Sequence, residues 1–147
     1  MAQPSAPSAL VVSGLAEVAL GALAGWPYTL VRQDPEAARR LLGIRSAARV
    51  RQWHLDLAML GGLTIAVGTA VPDAPKWASI PLGVGAWTNA MAFLPLAFRP
   101  QVDQSPVYKA AAGASFVATS VGFVGMALTG AARARAARAR KRQARRR

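Results

Sequence analysis

The amino-acid sequence predicts an all-α protein, an integral membrane four-helix bundle, and three observations support this prediction. Four apolar segments are each long enough to cross the ~30 Å hydrocarbon core of a bilayer at about 1.5 Å per helical residue. The charge lies outside them, since nine of the 18 Lys and Arg residues follow Ala131 and six more lie from Arg32 to Arg51. The last three segments lack the polar stripe of a soluble helix bundle, which disfavours that alternative.

The composition excludes several kinds of site. The chain has no cysteine, which excludes disulfides and thiolate metal sites, and one histidine, which excludes a histidine-cluster zinc site within one subunit. A net charge of +12 would suggest nucleic acid as the partner of a soluble protein. Basic segments beside membrane helices more often set orientation or contact anionic lipid. The predicted partner is therefore the lipid bilayer, and nucleic-acid binding is the weaker interpretation.

The first crossing is predicted over residues 9–31, after a disordered lead rich in Pro, Ser and Ala over residues 1–8. The lead has no basic segment, so a cleaved signal peptide is not expected. The crossing carries one acid, Glu17. The run from Gly21 to Gly25 is a small-residue pattern that lets two helices approach closely.

A short surface helix is predicted over residues 35–42. Asp34 is a favourable N-cap, Pro35 suits the first helical position, and Gly43 is typical of a helix end. Arginines lie on and around this helix, which suggests that it rests on lipid head groups; they are Arg39, Arg40, Arg45, Arg49 and Arg51.

The remaining crossings are predicted over residues 53–71, 77–98 and 107–130, with Pro95 kinking the third near its end. The fourth is rich in Gly, Ala, Ser and Thr, as a packed membrane helix would be. Residues 131–147 form a basic tail, expected to be helical where it leaves the bilayer and frayed beyond. Four crossings place both termini on one side, and the basic tail favours the cytoplasmic side of a cell inner or plasma membrane.

Ionisable residues within the crossings are candidates for function, because burying such groups in a membrane is costly. They are Glu17, His54 and Asp56. His54 and Asp56 are roughly 200° apart around a helix, so they do not form a dyad on one face. Asp56 could instead contact Glu17 or an arginine of a neighbouring helix or subunit. His54 could equally be an interfacial side chain hydrogen-bonded to a head group or a carbonyl.

Asn89 is a strong polar group near the middle of the third crossing and must find a partner there. A hydrogen bond that joins two helices and contact with a substrate are both open interpretations of this residue.

Two short motifs carry a resemblance to a known family. They are His54-Leu55-Asp56, followed by an apolar run to Pro72, and Trp87-Thr88-Asn89. The chain resembles the small four-helix membrane proteins that include styrene oxide isomerase and hydroxylaminobenzene mutase. Mutase-like members have His-Leu-Glu at the first motif, and the family shows Trp-Ala-Asn at the second. Order, spacing and number of crossings agree over about residues 10–130.

The resemblance implies a membrane-embedded isomerase that assembles as a trimer and holds haem b between subunits. His54 would be the axial ligand of the haem iron. Asn89 and Asp56 would be the catalytic groups, with Asn89 contacting a small apolar aromatic substrate and Asp56, like Glu17, supporting the site. The substrate would be an aryl epoxide, rearranged to an aldehyde with the iron acting as a Lewis acid, or an aryl hydroxylamine.

Three positions depart from the family pattern. Leu60 stands where the family commonly has Asn, Gly85 where the isomerases have Asp, and Phe93 where they have Tyr. The loss of these polar groups favours an alternative, a non-catalytic small membrane protein, structural or accessory, on the same scaffold. The retention of His54 and Asn89 favours the isomerase.

Overall fold

The computed structural model describes residues 6–146, and the regular structure of this part of the chain is helical throughout, without a strand. The all-α prediction is therefore confirmed. The helices are α1 (Ala9–Gln33), α2 (Pro35–Leu42), α3 (Ala47–Ala70), α4 (Lys76–Met91), α5 (Phe93–Phe98) and α6 (Pro106–Ala144), with a 3₁₀ turn at Pro100–Gln104.

Three segments are long and apolar enough to cross a membrane: α1, α4 together with α5, and α6. These coincide with the predicted first, third and fourth crossings and are consistent with an integral membrane protein. The predicted second crossing, α3, is not among them. It is of similar length, with 24 residues, but Arg49, Arg51, His54 and Asp56 in its N-terminal half reduce its hydropathy.

The long helices form two antiparallel pairs. In the first pair, Gly14 of α1 lies opposite Gly61 of α3, and Gly25 lies opposite His54. In the second pair, α4 packs along α6 with the opposite chain direction, because Gly85 lies opposite Thr119 and Gly125 lies opposite Trp77. The pairs join through α4, which packs against α3 and also runs parallel to α1, where Trp87 Nε1 donates a hydrogen bond to Ser13 Oγ at 2.9 Å.

Glycine allows the close approach within the α1–α3 pair. A Cβ atom on Gly14 would lie 2.7 Å from the carbonyl oxygen of Gly61, and a Cβ atom on Gly61 would lie 2.8 Å from the carbonyl oxygen of Gly14. Both distances are too short for a carbon–oxygen contact. Only hydrogen side chains at these positions therefore let the two backbones meet, as small residues do in pairs of membrane helices.

Helix boundaries follow local capping signals, and one of them lengthens a helix beyond the predicted crossing. The surface helix has the predicted bounds, with Asp34 Oδ1 accepting from Ala37 N at 2.8 Å and Gly43 at φ +71° closing it. The helix that contains the predicted second crossing begins before Trp53. Ser46 Oγ accepts from Arg49 N and starts α3 at Ala47, because serine is a favourable N-cap.

Two further differences concern the second half of the chain. The kink predicted near the end of the third segment takes the form of a break at Ala92, because Pro95 has no N–H to donate to the Met91 carbonyl four residues earlier. The tail, expected to be helical and then frayed, is helical further than expected, since α6 continues past residue 130 to Ala144. Alanine and arginine are both strong helix formers, and no helix breaker follows Gly130.

Candidate functional site

The imidazole of His54 is held by the main chain of α1. Its Nδ1 atom lies 2.8 Å from the carbonyl oxygen of Gly21. A carbonyl oxygen only accepts hydrogen bonds, so Nδ1 carries the proton in this contact. The neutral ring then keeps its lone pair on Nε2, which is the arrangement that a metal-ligating histidine requires.

The ring plane of His54 is also constrained by α1. Tyr28 stacks on it, with the ring centroids 5.8 Å apart and an angle of 22° between the planes. The guanidinium of Arg32 lies 5.9 Å from the centroid of the Tyr28 ring, a cation–π contact on the tyrosine. A Cβ atom on Gly25 would lie 3.5 Å from Cε1 of His54. The histidine is therefore oriented by one hydrogen bond and one aromatic contact, and remains half-buried.

The local sequence explains why these residues meet. Gly21, Gly25 and Tyr28 are spaced by four and three residues, which places them along one side of a helix. On α3, His54 shares the side of Leu57 and Gly61, which also face α1. The predicted small-residue pattern from Gly21 to Gly25 therefore does lie at a helix contact, and this contact is with the histidine.

Asp56 and Asn89 lie on the parts of α3 and α4 that pack against each other. Trp53 Nε1 lies 3.3 Å from the Met91 sulfur, and Leu60 packs in one apolar cluster with Ala86 and Ala90. Asp56 lies between Trp53 and Leu60, and Asn89 lies between Ala86 and Met91. Both polar residues are half-buried. Interpolation between these contacts puts Asp56 and Asn89 at a similar height along α3 and α4, whereas His54 belongs to the contact between α3 and α1.

The other two residues of the Trp87-Thr88-Asn89 motif join helices. Trp87 donates to Ser13 on α1, as described above. Thr88 Oγ1 lies 2.7 Å from Ser115 Oγ on α6. Asn89 is therefore the member of the motif without an assigned packing role.

Two of the three positions that differ from the resembled family are packed against neighbouring helices. Leu60 is 5% exposed and belongs to the core between α1, α3 and α4. A Cβ atom on Gly85 would lie 2.7 Å from Thr119 Oγ1 and closer still to the Thr119 backbone nitrogen, so a larger side chain would separate α4 from α6. Phe93 begins α5 and is half-buried. Polar groups at positions 60 and 85 would disrupt this packing.

Of the contacts left open for Asp56, a hydrogen bond with Glu17 is not formed among the described residues. Glu17 lies in the α1–α3 contact, where its Cβ is 2.8 Å from the position that a Cβ on Gly61 would occupy. It is 0% exposed, and neither of its carboxylate oxygens has a hydrogen-bond partner among the described residues. Glu17 lies between α1 and α3, whereas Asp56 lies on the part of α3 that packs against α4, so the two carboxyl groups are apart.

Two apolar cavities flank the outer face of α4. One of about 630 Å³ lies between α4 and α6, and one of about 510 Å³ lies between α1 and α4. Val84 and Thr88 line both, whereas His54, Asp56 and Asn89 line neither. A molecule bound by His54, Asp56 and Asn89 would therefore lie outside both cavities.

Sequence reasoning missed two partners of His54, namely Tyr28 and the Gly21 carbonyl. A main-chain acceptor is present at every residue, so no residue type in the sequence indicates it. The stacking of Tyr28 could have been anticipated from its seven-residue spacing from Gly21, which places both on one side of a helix. Within residues 6–146 no group of three His, Asp or Glu side chains could hold a metal ion. A metal at His54 would need most of its ligands from another source, as a porphyrin would provide.

No protein-family model, curated protein or solved structure matches this chain. The case for a function therefore rests on the residues and geometry described above.

Proposed function

We propose that this protein is a membrane-embedded isomerase in which His54 is the axial ligand of haem b. The observation that carries the proposal is the hydrogen bond from Nδ1 of His54 to the Gly21 carbonyl. It leaves Nε2 as the donor atom of the neutral imidazole. A hydrogen bond on the second nitrogen of a metal-ligating histidine fixes ring orientation and raises ligand basicity.

The residues around His54 fit one axial ligand of a haem. Tyr28 holds the ring plane and Gly25 leaves space at the ring edge. When bound, ferric haem would supply a Lewis acid for a substrate oxygen. The chain itself holds the His54 imidazole in its orientation, and excludes water through the apolar surfaces of the flanking helices.

Asn89 and Asp56 are the groups proposed to face a small aryl epoxide or aryl hydroxylamine. The Asn89 amide can donate to a substrate oxygen, and the Asp56 carboxylate can accept from that amide or position it. In one chain these groups lie at the α3–α4 contact, and His54 lies at the α1–α3 contact. A site that uses all three would be completed between copies of the chain, which supports the homo-oligomer, a trimer in the resembled family.

We also infer that α3 is a fourth crossing. It lies along α1 from His54, opposite Gly25, to Gly68, opposite Val11. If α1 spans a bilayer, this part of α3 lies at the same depth, and His54 lies near one interface. The loop between α3 and α4 and the basic end of α6 then share a side, which we assign to the cytoplasm because of the Arg-rich helix end.

The test of the reaction uses the detergent-purified protein and styrene oxide as the probe substrate. The wild type should convert the epoxide to the aldehyde without added reductant. His54→Ala should lose this conversion, and Asn89→Ala should reduce it at least tenfold, whereas Gln52→Ala on the same helix turn as His54 should leave it unchanged. Absence of conversion by haem-loaded wild type would exclude this reaction.

A second candidate function is favoured by the packing at two family positions. Leu60 fills the helix core and Gly85 forms the closest contact between α4 and α6. A bundle optimised for packing at these positions could be a non-catalytic structural or accessory membrane protein. Intact folding and oligomerisation without haem or conversion would support this candidate.

A further inference from the structure

The basic extension of α6, residues 131–146, is a charged surface that has no part in the proposed isomerase. From Ala131 to the end of the sequence there are nine Lys and Arg residues, eight of them Arg, and no Asp or Glu. α6 continues without a break to Ala144, and every residue of the extension is exposed. The charge therefore lies on a helix that is open to a partner along its whole length.

The basic extension lacks the apolar face with which a helix lies on a bilayer. Its uncharged residues are all Ala apart from Gln143. A helix at a membrane surface buries large apolar side chains such as Leu, Phe or Trp at the boundary of the acyl chains, and the sequence has none after Gly130. The extension therefore follows the direction of α6 out of the bilayer instead of lying on its surface.

Anionic lipid head groups can neutralise only the first part of the basic extension. Residues 131–144 lengthen α6 by about 21 Å beyond Gly130, the predicted end of the crossing, and Arg142 lies about 18 Å from that end. The head-group region takes up about 5–7 Å of this length. Attraction between exposed charges is largely screened beyond about 8 Å at physiological salt. The last arginines therefore lie too far from the bilayer for lipid to be their partner.

Most of the arginines lie on one side of the basic extension. At about 100° per helical residue, five of them fall within an arc of about 100°; this arginine face consists of Arg135, Arg138, Arg142, Arg145 and Arg146. Four of the five border one hollow on the helix surface, namely Arg135, Arg138, Arg142 and Arg146. Arg133 lies on the opposite side and donates to the carbonyl oxygens of Pro72 and Asp73. The bundle thus holds the base of the extension with the arginine face turned away from the α3–α4 turn.

We propose that the arginine face binds double-stranded nucleic acid through its phosphate backbone. A guanidinium can donate two parallel hydrogen bonds to a phosphate group. Guanidinium groups repeated along one side of a helix match a polymer with a phosphate every 3.4 Å along each strand, and a slender helix of Ala and Arg fits the major groove of DNA, about 12 Å wide. The carboxylates of an acidic protein surface have no such regular spacing. This inference does not depend on haem or on the isomerase reaction.

The binding test uses the full-length protein in nanodiscs of phosphatidylcholine, a lipid without net charge. The affinity for a fluorescently labelled DNA duplex is measured by anisotropy at increasing KCl concentrations. Five phosphate contacts predict that the logarithm of the association constant falls against that of the salt concentration with a slope of about −4 to −5. Absence of binding at low salt, or an affinity that does not change with salt, would overturn the proposal.

Two double variants that remove equal charge test the arginine face itself. Arg138→Ala with Arg142→Ala takes two charges from the face, and Arg140→Ala with Lys141→Ala takes two from outside it at the same height. Alanine preserves the helix in both variants, which circular dichroism checks. The first variant should weaken duplex binding at least tenfold and lower the salt slope by about two, whereas the second should weaken binding less than threefold. Equal losses would show attraction by net charge alone and overturn the proposal.

Competition against the labelled duplex separates nucleic acid from other anionic partners. The competitors are unlabelled duplex, polyglutamate and phosphatidylglycerol vesicles, compared at equal anionic charge. We expect the unlabelled duplex to displace the labelled one at a charge concentration at least tenfold lower than the other two require. Displacement by polyglutamate at the same charge concentration would identify an acidic protein as the partner. Displacement by the vesicles at that concentration would identify anionic lipid. Either result would overturn the proposal.

Discussion

The Nδ1 atom of His54 lies 2.8 Å from the carbonyl oxygen of Gly21, and this contact depends on how closely α1 and α3 approach. A Cβ atom on Gly21 would lie 3.1 Å from the backbone nitrogen of Ala58 and 3.3 Å from Cβ of Leu57. Gly21 therefore provides both the acceptor and the space that brings the acceptor within reach. The orientation of the imidazole is a property of the helix pair rather than of the histidine alone.

The α1–α3 pair should be sensitive to added volume at its closest point. Gly14→Ala should destabilise the protein by about 1–3 kcal/mol, because the new methyl group would meet the Gly61 carbonyl. Thermal unfolding in detergent measures the effect. Gly62→Ala is the matched control, since no atom lies within 4 Å of its added Cβ. Equal stability of the two variants would contradict the close helix contact.

In the α4–α6 pair the corresponding experiment concerns Gly85, where the isomerases that the chain resembles have Asp. Gly85→Ala should lower the unfolding temperature because its Cβ would overlap Thr119. Gly113→Ala, on α6 with open space around it, should change the unfolding temperature little. Gly85→Asp should be more damaging than Gly85→Ala and should not increase isomerase activity. An active, stable Gly85→Asp protein would show that the helices can separate here to form a site.

Arg133 should hold the turn between α3 and α4. Its guanidinium donates to the carbonyl oxygens of Pro72 and Asp73, the latter at 2.8 Å. Arg133→Ala should increase hydrogen exchange in this turn, because the contact joins it to α6. Arg135→Ala removes the same charge from an exposed neighbour and should leave the exchange of the turn unchanged.

The proposed fourth crossing predicts a definite topology. The chain has no cysteine, so single cysteines can be introduced and labelled with a membrane-impermeant thiol reagent in oriented vesicles. Lys76→Cys and Gln143→Cys should react from one side, and Glu36→Cys and Gln104→Cys from the other; all four positions are exposed. Reaction of the Glu36 and Lys76 variants from the same side would show that α3 does not cross.

Local capping residues allow some helix boundaries to be predicted from the sequence. Asp34, Pro35 and Gly43 define α2 through contacts within a few residues of each other, and the structure shows the same bounds. The start of α3 at Ala47 is harder to predict, because the arginines around Ser46 suggest a surface segment. A serine N-cap acts through one hydrogen bond and does not depend on the polarity of the residues that follow it.

The candidate site was less predictable, because its geometry depends on the register between helices. The sequence shows that His54 and Asp56 face different directions, but not that Asp56 lies at a similar height to Asn89 on α4. That alignment follows from distant contacts, the one between Trp53 and Met91 and the apolar cluster of Leu60 with Ala86. The partner of His54 is a backbone carbonyl. Every residue has a backbone carbonyl, so the sequence does not indicate which one accepts the hydrogen bond.

The central claim is that His54 ligates haem, and a visible absorption spectrum tests it most directly. The protein is produced in cells supplied with haem and purified in detergent, as wild type and as His54→Ala, with Gln52→Ala as the control. We expect a Soret band in the wild type and in Gln52→Ala that is lost or shifted in His54→Ala. A folded wild-type protein without a Soret band, or a band unchanged in His54→Ala, would contradict the claim.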